Sequence, residues 1–141
     1  MTTSHISYSG IAHPWLCDVM NHLNTRHYMA AFDDASMLFL TKLGHDFENN
    51  ELFGWADVNV VLNLKAEVPK GASFFIESTV SKIGNTSIVT THKLHRNAGS
   101  QLCTEAKITT VYFDLTKRAS APIPESFKAN ANPYLLTDEV S

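Results

Sequence analysis

The sequence has few cysteines, no excess of basic residues and no long hydrophobic run. Its two cysteines, Cys17 and Cys103, lie too far apart for a C-x-x-C motif, which favours two reduced thiols over a disulfide framework. The formal net charge is −3 at pH 7, which argues against a nucleic-acid-binding protein because such proteins carry basic patches. No apolar run approaches the ~20 residues that a membrane-spanning helix needs.

Several catalytic and targeting motifs are also missing. The chain contains no Gly-rich phosphate loop of the P-loop or dinucleotide type, no G-x-S-x-G element for a nucleophilic serine and no H-E-x-x-H metal site. The first residues, MTTSHISYSG, have neither the basic nor the apolar segment of a signal peptide. We therefore expect a cytoplasmic protein.

One long amphipathic helix is predicted over residues 24–43. Asn24 is a favourable N-cap residue, and Gly44 is a stop signal after the last apolar position. Apolar residues recur at steps of three and four and predict one buried face, formed by Tyr28, Ala31, Phe32, Ala35, Leu38, Phe39 and Leu43.

After this helix the hydrophobic period changes from helical to alternating. The segment WADVNVVLNLK, residues 55–65, predicts a strand whose buried face is formed by Ala56, Val58, Val60, Leu62 and Leu64. An extended segment precedes the helix, and three more strands follow turns at 68–71, 84–87 and 97–101. Helix and strands are segregated along the chain, which predicts an α+β fold with an antiparallel sheet of about five strands.

A dense polar cluster, CDVMNHLNTRHY, precedes the helix. His22 and His27 are five residues apart, whereas paired metal ligands on one helical face are four apart, so a metal site is disfavoured. Cys17 follows apolar neighbours and is expected to be an inert thiol. Helix capping explains Asn24 but not Asp18, which lies before the cap. A carboxylate beside a helix N-terminus can attack a carbonyl or activate water, so acyl transfer is one of the chemistries left open.

The pattern Asp18-x-x-x-His22-x-Asn24-x-x-x-Tyr28, followed by AAFDDA, resembles the D-x-x-G-H-V-N-x-x-x-Y motif of hot-dog-fold acyl-CoA thioesterases. The similarity is to the 4-hydroxybenzoyl-CoA thioesterase-like branch, and it continues through LKAEVPKG, SKIGNTS and TTVYFDLTKRASAPIP. It implies one hot-dog domain over residues 1–141, with a long helix wrapped by a curved sheet and a C-terminal tail from about residue 128. It also implies a homodimer or homotetramer, and no cofactor beyond the coenzyme A of the substrate.

The resemblance assigns roles to individual residues by their position. Asp18 would be the catalytic carboxylate, as nucleophile or as general base, and the Thr25 backbone N–H would stabilise the oxyanion. Asn24 would shape the helix start, with His22 as a supporting residue. Asn59 stands where some relatives have a second acidic residue and is the other supporting candidate.

Contacts to coenzyme A are the weakest part of the resemblance. The hairpin around residues 84–87 lacks the arginines that some relatives direct to the CoA phosphates, which leaves Lys82, Asn85 and Thr86 as candidates. Other cations are better explained as solvated surface charge than as phosphate ligands, namely Lys65, Arg96 and Lys107. Asn21 also replaces the glycine that many relatives have before the histidine.

The activity implied is hydrolysis of an acyl-CoA thioester to a free acid and CoA. EVPKG and KLHRNAGSQL also resemble betainyl-CoA thioesterases, so a quaternary-ammonium acyl group joins fatty, aromatic and small polar groups as a candidate. Enoyl-CoA hydratases of this fold have G-D-x-N-P-x-H, with one more position between Asp and His than here, which makes a hydratase a weaker alternative. The other alternative is a non-catalytic acyl- or CoA-binding protein.

Overall fold

The fold is one curled antiparallel sheet around a long helix, described over residues 3–136 of a computed structural model. Its elements are β1 (His5–Ile11), α1 (Thr25–Lys42), β2 (Phe53–Leu64), β3 (Ser73–Ile83), β4 (Ser87–Arg96), β5 (Leu102–Asp114), β6 (Ala119–Ser120) and α2 (Glu125–Ala131). The predicted α+β class, the long helix, the five main strands and the three turns between them are confirmed. Residues 137–141, part of the predicted polar end, lie outside the described residues.

The strands are arranged in the order β1-β3-β4-β5-β2, with the short β6 paired to β5. All neighbours are antiparallel. Short turns join β3 to β4, β4 to β5 and β5 to β6, and such turns suit antiparallel pairing. Helix α1 packs mainly on β1, β3 and β4. The inner face of β2 therefore receives little cover from α1, and β2 is also an edge of the sheet.

Helix α1 buries one face against the sheet, as its period predicts. The buried residues include Tyr28, Phe32 and Phe39. Leu38 is an exception, because its side chain remains 49% exposed beside the similarly exposed Met37. The prediction that Leu38 belongs to the buried face is therefore wrong for a single chain, because Leu38 lies outside the face of α1 that is buried.

A β-bulge in β2 changes which of its residues face the helix. The pairing register shifts between Asp57 and Asn59, so Val58 is an extra residue and the alternation inverts there. Asp57 is opposite the buried Thr110, whose Oγ1 donates to Asp57 Oδ1 at 2.8 Å. Asn59 is opposite Thr109 and lies on the outer face. The prediction of one continuous buried face over residues 56–64 is wrong for this reason.

The predicted C-terminal tail begins with a packed helix. Helix α2 has only seven residues, too short to give a clear period, and it was missed. Its Phe127 is buried with ring centroids 4.9 Å from Trp55, and the Asn130 amide donates to the Leu43 carbonyl at 3.0 Å. The chain stays attached to the sheet as far as Leu136, whose N–H donates to the carbonyl of Val80.

Candidate active site

Asp18 lies in a tight turn between β1 and α1. An antiparallel bridge joins Cys17 to Leu23 across this turn, and the Asp18 N–H donates to the His22 carbonyl at 2.8 Å. The carboxylate oxygen Oδ1 accepts from the backbone N–H groups of Met20, at 2.8 Å, and His22, at 3.3 Å. These bonds fix the carboxylate, and no residue among 3–136 forms a hydrogen bond to Oδ2. Asp18 can therefore present Oδ2 to another molecule.

Asn21 makes the sharp bend of this turn. Its φ is +65°, in the left-handed region, and its N–H donates to the Asp18 carbonyl at 3.0 Å. Glycine and, among other residues, asparagine adopt this conformation most readily. Asn21 stands where the resemblance gives a glycine, and it can adopt the same left-handed conformation. The turn therefore keeps its shape.

Asn24 begins α1 and satisfies most of its free N–H groups. Its side-chain Oδ1 accepts from the Arg26 N–H at 3.1 Å, as predicted for an N-cap. Its carbonyl accepts from the N–H groups of His27 and Tyr28 at 2.9 and 3.2 Å. The Thr25 N–H has no hydrogen-bond acceptor within the described part of the chain. An unpaired N–H at the positive end of a helix is suited to an oxyanion.

Asp18 and Thr25 line the same open pocket, of about 240 Å³. The apolar part of its wall includes Leu23 and Leu64. Tyr28 also contributes to the wall but is buried, and burial raises the pKa of its phenol above the usual value, which keeps it neutral. The burial of Tyr28 confirms the prediction that it is a core residue. The remaining polar or flexible lining residues are Met20, His22, Lys65 and Glu67.

Glu67 is a site residue that the motif did not reveal. Its Oε2 lies 3.1 Å from Nε2 of His22, while the other ring nitrogen of His22, Nδ1, is buried without a partner among residues 3–136. His22 therefore acts as a link between Asp18 and Glu67. Glu67 falls within LKAEVPKG, but that segment gives no local pattern that points to the turn.

The turn is also fastened to the segment that follows β2. The Leu23 N–H donates to the Val68 carbonyl at 2.8 Å, and the Lys70 N–H donates to the Asn21 carbonyl at 2.9 Å. Together with the contact between His22 and Glu67, these bonds fix the position of Asp18 relative to the sheet.

Other predicted site residues are not brought to this pocket. Asn59 lies on the outer face of the sheet, because of the bulge. The hairpin at 84–87 lies at the far end of β3, and ten steps at ~3.3 Å place it on the order of 30 Å from the pocket end. Its candidate residues, Lys82, Asn85 and Thr86, are thus remote from Asp18 of the same chain. Of the weaker cation candidates, Lys65 lines the pocket and Lys107 lies on the outer face.

Both cysteine thiols lie outside the pocket and are held by the surrounding structure. Cys17 and Cys103 are free; the Cys17 thiol donates to the His13 carbonyl at 3.3 Å. Burial raises the pKa of the Cys103 thiol.

Within residues 3–136, no group of three or more His, Cys, Asp or Glu side chains is placed to hold a metal ion. None of the helices in that part of the chain has the length and apolar character to cross a membrane.

Solved structures with the same arrangement of helix and strands are similar across nearly the whole chain. A hypothetical protein from Staphylococcus aureus, in complex with CoA, has a TM-score of 0.85 at 17% identity, covering 95% of this chain and 85% of that one. A 1,4-dihydroxy-2-naphthoyl-CoA thioesterase from Synechocystis has a TM-score of 0.80 at 14% identity, covering 92% and 96%. A gentisyl-coenzyme A thioesterase has a TM-score of 0.77 at 19% identity, covering 87% and 97%.

The sequence itself matches one protein family. No curated protein matches the chain in sequence. The model of the thioesterase-like superfamily matches residues 12–131, which contain the Asp18 turn, α1 and all strands after it. Because this match covers most of the chain, the protein belongs to the thioesterase-like superfamily and is a hot-dog-fold thioester hydrolase.

Proposed function

We propose that the protein hydrolyses an acyl-CoA thioester to a free acid and CoA, with Asp18 as the catalytic carboxylate and the Thr25 N–H as the oxyanion donor. One observation carries this proposal: Asp18, whose Oδ2 accepts no hydrogen bond from residues 3–136, and Thr25, whose N–H has no acceptor among them, line the same pocket. We place this reaction in the cytoplasm, where two unpaired thiols stay reduced.

The chemistry follows from these two groups. The thioester carbonyl oxygen binds at the Thr25 N–H, where the negative charge that develops on attack is stabilised. Asp18 Oδ2 then attacks the carbonyl carbon or takes a proton from the attacking water. Asn24 orients the helix start and His22 holds the Asp18 turn. The reaction uses no metal and no cofactor other than the coenzyme A of the substrate.

The residues that line the pocket indicate which acyl groups it can hold. Leu23, Leu64 and the ring of Tyr28 provide apolar wall, while Lys65 and Glu67 provide charge at the pocket. Two of the similar structures are thioesterases for 1,4-dihydroxy-2-naphthoyl-CoA and gentisyl-CoA. An aromatic acyl group is accordingly a candidate beside fatty, small polar and quaternary-ammonium groups.

We propose that the working unit is a homodimer, alone or as half of a tetramer, joined through β2. An edge strand has unpaired N–H and C=O groups that can pair with another strand. Large apolar residues are exposed along β2 and on the adjoining part of α1, namely Val58, Val60, Val61, Leu64 and Leu38. Antiparallel pairing of two β2 strands would continue the sheet across the two chains and help to cover Val60 and Leu64 on its inner face. It would also bring one chain's far end toward the other chain's pocket. The hairpin with Lys82, Asn85 and Thr86 would then approach CoA bound to the partner.

The deciding experiment is a panel of acyl-CoA substrates with detection of the released thiol. The panel covers short, long, aromatic and quaternary-ammonium acyl groups, and it is run on the wild type and on Asp18→Asn. Asparagine keeps an oxygen that accepts from Met20 and His22 but is not a nucleophile or base, so we expect kcat to fall by roughly 10²–10⁴-fold. Asp46→Asn is the matched control, because Asp46 Oδ1 also accepts two backbone N–H groups, at 3.0 and 3.1 Å, in an exposed loop outside the pocket.

Three results would contradict the proposal. Turnover that Asp18→Asn leaves unchanged would remove Asp18 from the mechanism. Binding of CoA without turnover of any ester would favour a non-catalytic binding protein. Consumption of an enoyl-CoA without thiol release would favour a hydratase.

A further inference from the structure

We propose that Glu67 is a second catalytic carboxylate, which takes a proton from the water that hydrolyses an acyl group held on Asp18. This inference rests on the proposed thioesterase function and makes one of its two mechanisms specific. If Asp18 attacks the thioester itself, its carboxylate is consumed in the bond to the acyl group. A different base must then activate the water.

Glu67 lies in the right pocket and is held from both sides. It lines the pocket together with Asp18 and Thr25. Before it, the N–H groups of Lys65 and Ala66 both donate to the Cys103 carbonyl, at 2.8 and 2.9 Å; after it, the Val68 carbonyl accepts from the Leu23 N–H. The backbone of Glu67 is therefore fixed to β5 on one side and to the start of α1 on the other.

His22 connects the two carboxylates. Its backbone N–H donates to Oδ1 of Asp18 at 3.3 Å, and its Nε2 lies 3.1 Å from Oε2 of Glu67. The Glu67 side chain nevertheless stays 70% exposed, so its second oxygen can contact water. In retaining glycosidases, where one carboxylate forms the covalent intermediate and the second then activates the water, the two carboxyl groups lie roughly 5–5.5 Å apart. Two carboxyl groups that line one pocket suit the same division of roles.

The other polar residues of the pocket cannot take this proton as well. His22 has one ring nitrogen engaged by Glu67 and the other buried. Lys65 in its ammonium form has only donors, and burial raises the pKa of the Tyr28 phenol, so it remains protonated. Asn59 is not ionisable and lies on the outer face. Glu67 is the remaining base among the residues that line this pocket.

The reaction has two balanced steps. In the first, Asp18 Oδ2 forms a bond to the acyl carbon, the carbon–sulfur bond breaks, and CoA leaves as a thiolate that takes a proton from solvent. In the second, Glu67 takes a proton from water while the water oxygen bonds to a carbonyl carbon of the mixed anhydride. The bond between the anhydride oxygen and that carbon breaks, which releases the free acid and restores the Asp18 carboxylate. Glu67 then returns its proton to solvent.

Glu67→Gln separates this role from a purely positional one. The glutamine oxygen still accepts from His22 Nε2–H, but the amide does not take a proton from water. We expect a burst of about one thiol per active chain, followed by a steady-state rate lowered by roughly 10²-fold or more. Intact mass spectrometry of the quenched variant should show the chain with one acyl group added. Asp18→Asn in the same background should abolish both the burst and the added mass.

A second histidine–glutamate pair provides the control. Glu77 Oε1 lies 2.9 Å from Nε2 of His95, and Glu77 does not line this pocket. Glu77→Gln should behave like the wild type. Glu67→Asp is the second variant, in case Glu67→Gln proves poorly folded. It keeps a carboxylate, so it should restore part of the rate of the second step and show no burst.

The outcomes distinguish this inference from the proposed function. If the wild type releases thiol and both Glu67→Gln and Glu67→Asp keep its steady-state rate, Glu67 is not the base and the thioesterase assignment stands. A slow Glu67→Gln without a burst and without acylated chain would also overturn the inference, because Glu67 would then act before or without an acyl-enzyme. If the wild type releases no thiol from any CoA ester, both proposals fail together.

Discussion

The Asn24 side chain accepts a hydrogen bond from the backbone N–H of Arg26 at 3.1 Å. This contact skips the N–H of Thr25, which stays without an acceptor in the described residues. The same cap that stabilises α1 therefore leaves the first helical N–H available for a bound carbonyl oxygen. Stability and catalysis should respond together when the cap is changed.

Replacing Asn24 by alanine should lower both the free energy of unfolding and the activity. Loss of an N-cap costs about 1 kcal/mol, and a less ordered first turn weakens the Thr25 N–H as an oxyanion donor, so we expect kcat to fall about tenfold with little change in KM. Asn24→Asp and Asn24→Ser keep a capping oxygen and are the controls. Urea unfolding and thiol-release kinetics measure the two effects. An Asn24→Ala enzyme that is destabilised but fully active would contradict the role of the helix start.

A charge on the inner face of β2 should separate the proposed dimer. Val60 is partly exposed on the free edge strand, and a buried lysine there would be unpaired in the interface. We expect Val60→Lys to shift the protein from dimer to monomer in light scattering with size-exclusion chromatography. Ile6→Lys is the control, since Ile6 is exposed on β1 at the opposite edge. A monomeric wild type, or a dimeric Val60→Lys, would exclude β2 as the interface.

A buried histidine should make the fold sensitive to acid. His92 is fully buried, its Nδ1 lies 2.6 Å from Ser78 Oγ, and its Nε2 lies 2.8 Å from Thr90 Oγ1. Burial lowers the pKa of His92 from 6.5 to about 3. Below pH 6.5 the unfolded chain therefore binds a proton that the folded chain does not bind until about pH 3. Stability contributed by neutral His92 is present above pH 6.5 and is lost as the pH falls, by at most about 1.4 kcal/mol per pH unit.

His92→Gln tests this linkage. The amide has no titration in this range, so the fall in unfolding free energy between about pH 6 and pH 4 should be shallower than in the wild type, even if the variant is less stable at pH 7. His13→Gln is the control, because the His13 ring stacks on the exposed Trp15. Urea unfolding at several pH values measures the slopes. Equal slopes for wild type and His92→Gln would show that His92 does not carry the acid sensitivity.

The packed C-terminal helix should contribute to the stability of the fold. Phe127 is buried against Trp55, and loss of a buried phenylalanine side chain costs about 3–5 kcal/mol. We expect Phe127→Ala to reduce the unfolding free energy by about that amount in urea titrations. Glu125→Ala, at an exposed position of the same helix, should change it by less than about 1 kcal/mol. A negligible effect of Phe127→Ala would mean that α2 does not contribute to the fold.

The sequence by itself determined the elements whose signals are local. The period and the Asn24 cap defined α1, and the alternation and turn residues defined the five main strands. Asp18 stood out because a carboxylate ahead of a helix cap has no capping role. These features depend on neighbours within a few positions along the chain, so a single sequence is sufficient to reveal them.

The tertiary structure decided what depends on register and on encounters between distant segments. A single extra residue, Val58, inverts the two faces of β2 around it, which directs Asp57 inward and Asn59 outward. Glu67 meets His22 only because the loop after β2 is bonded to the Asp18 turn. Such positions are set by pairing across the sheet, where a shift of one residue moves every later side chain to the other face.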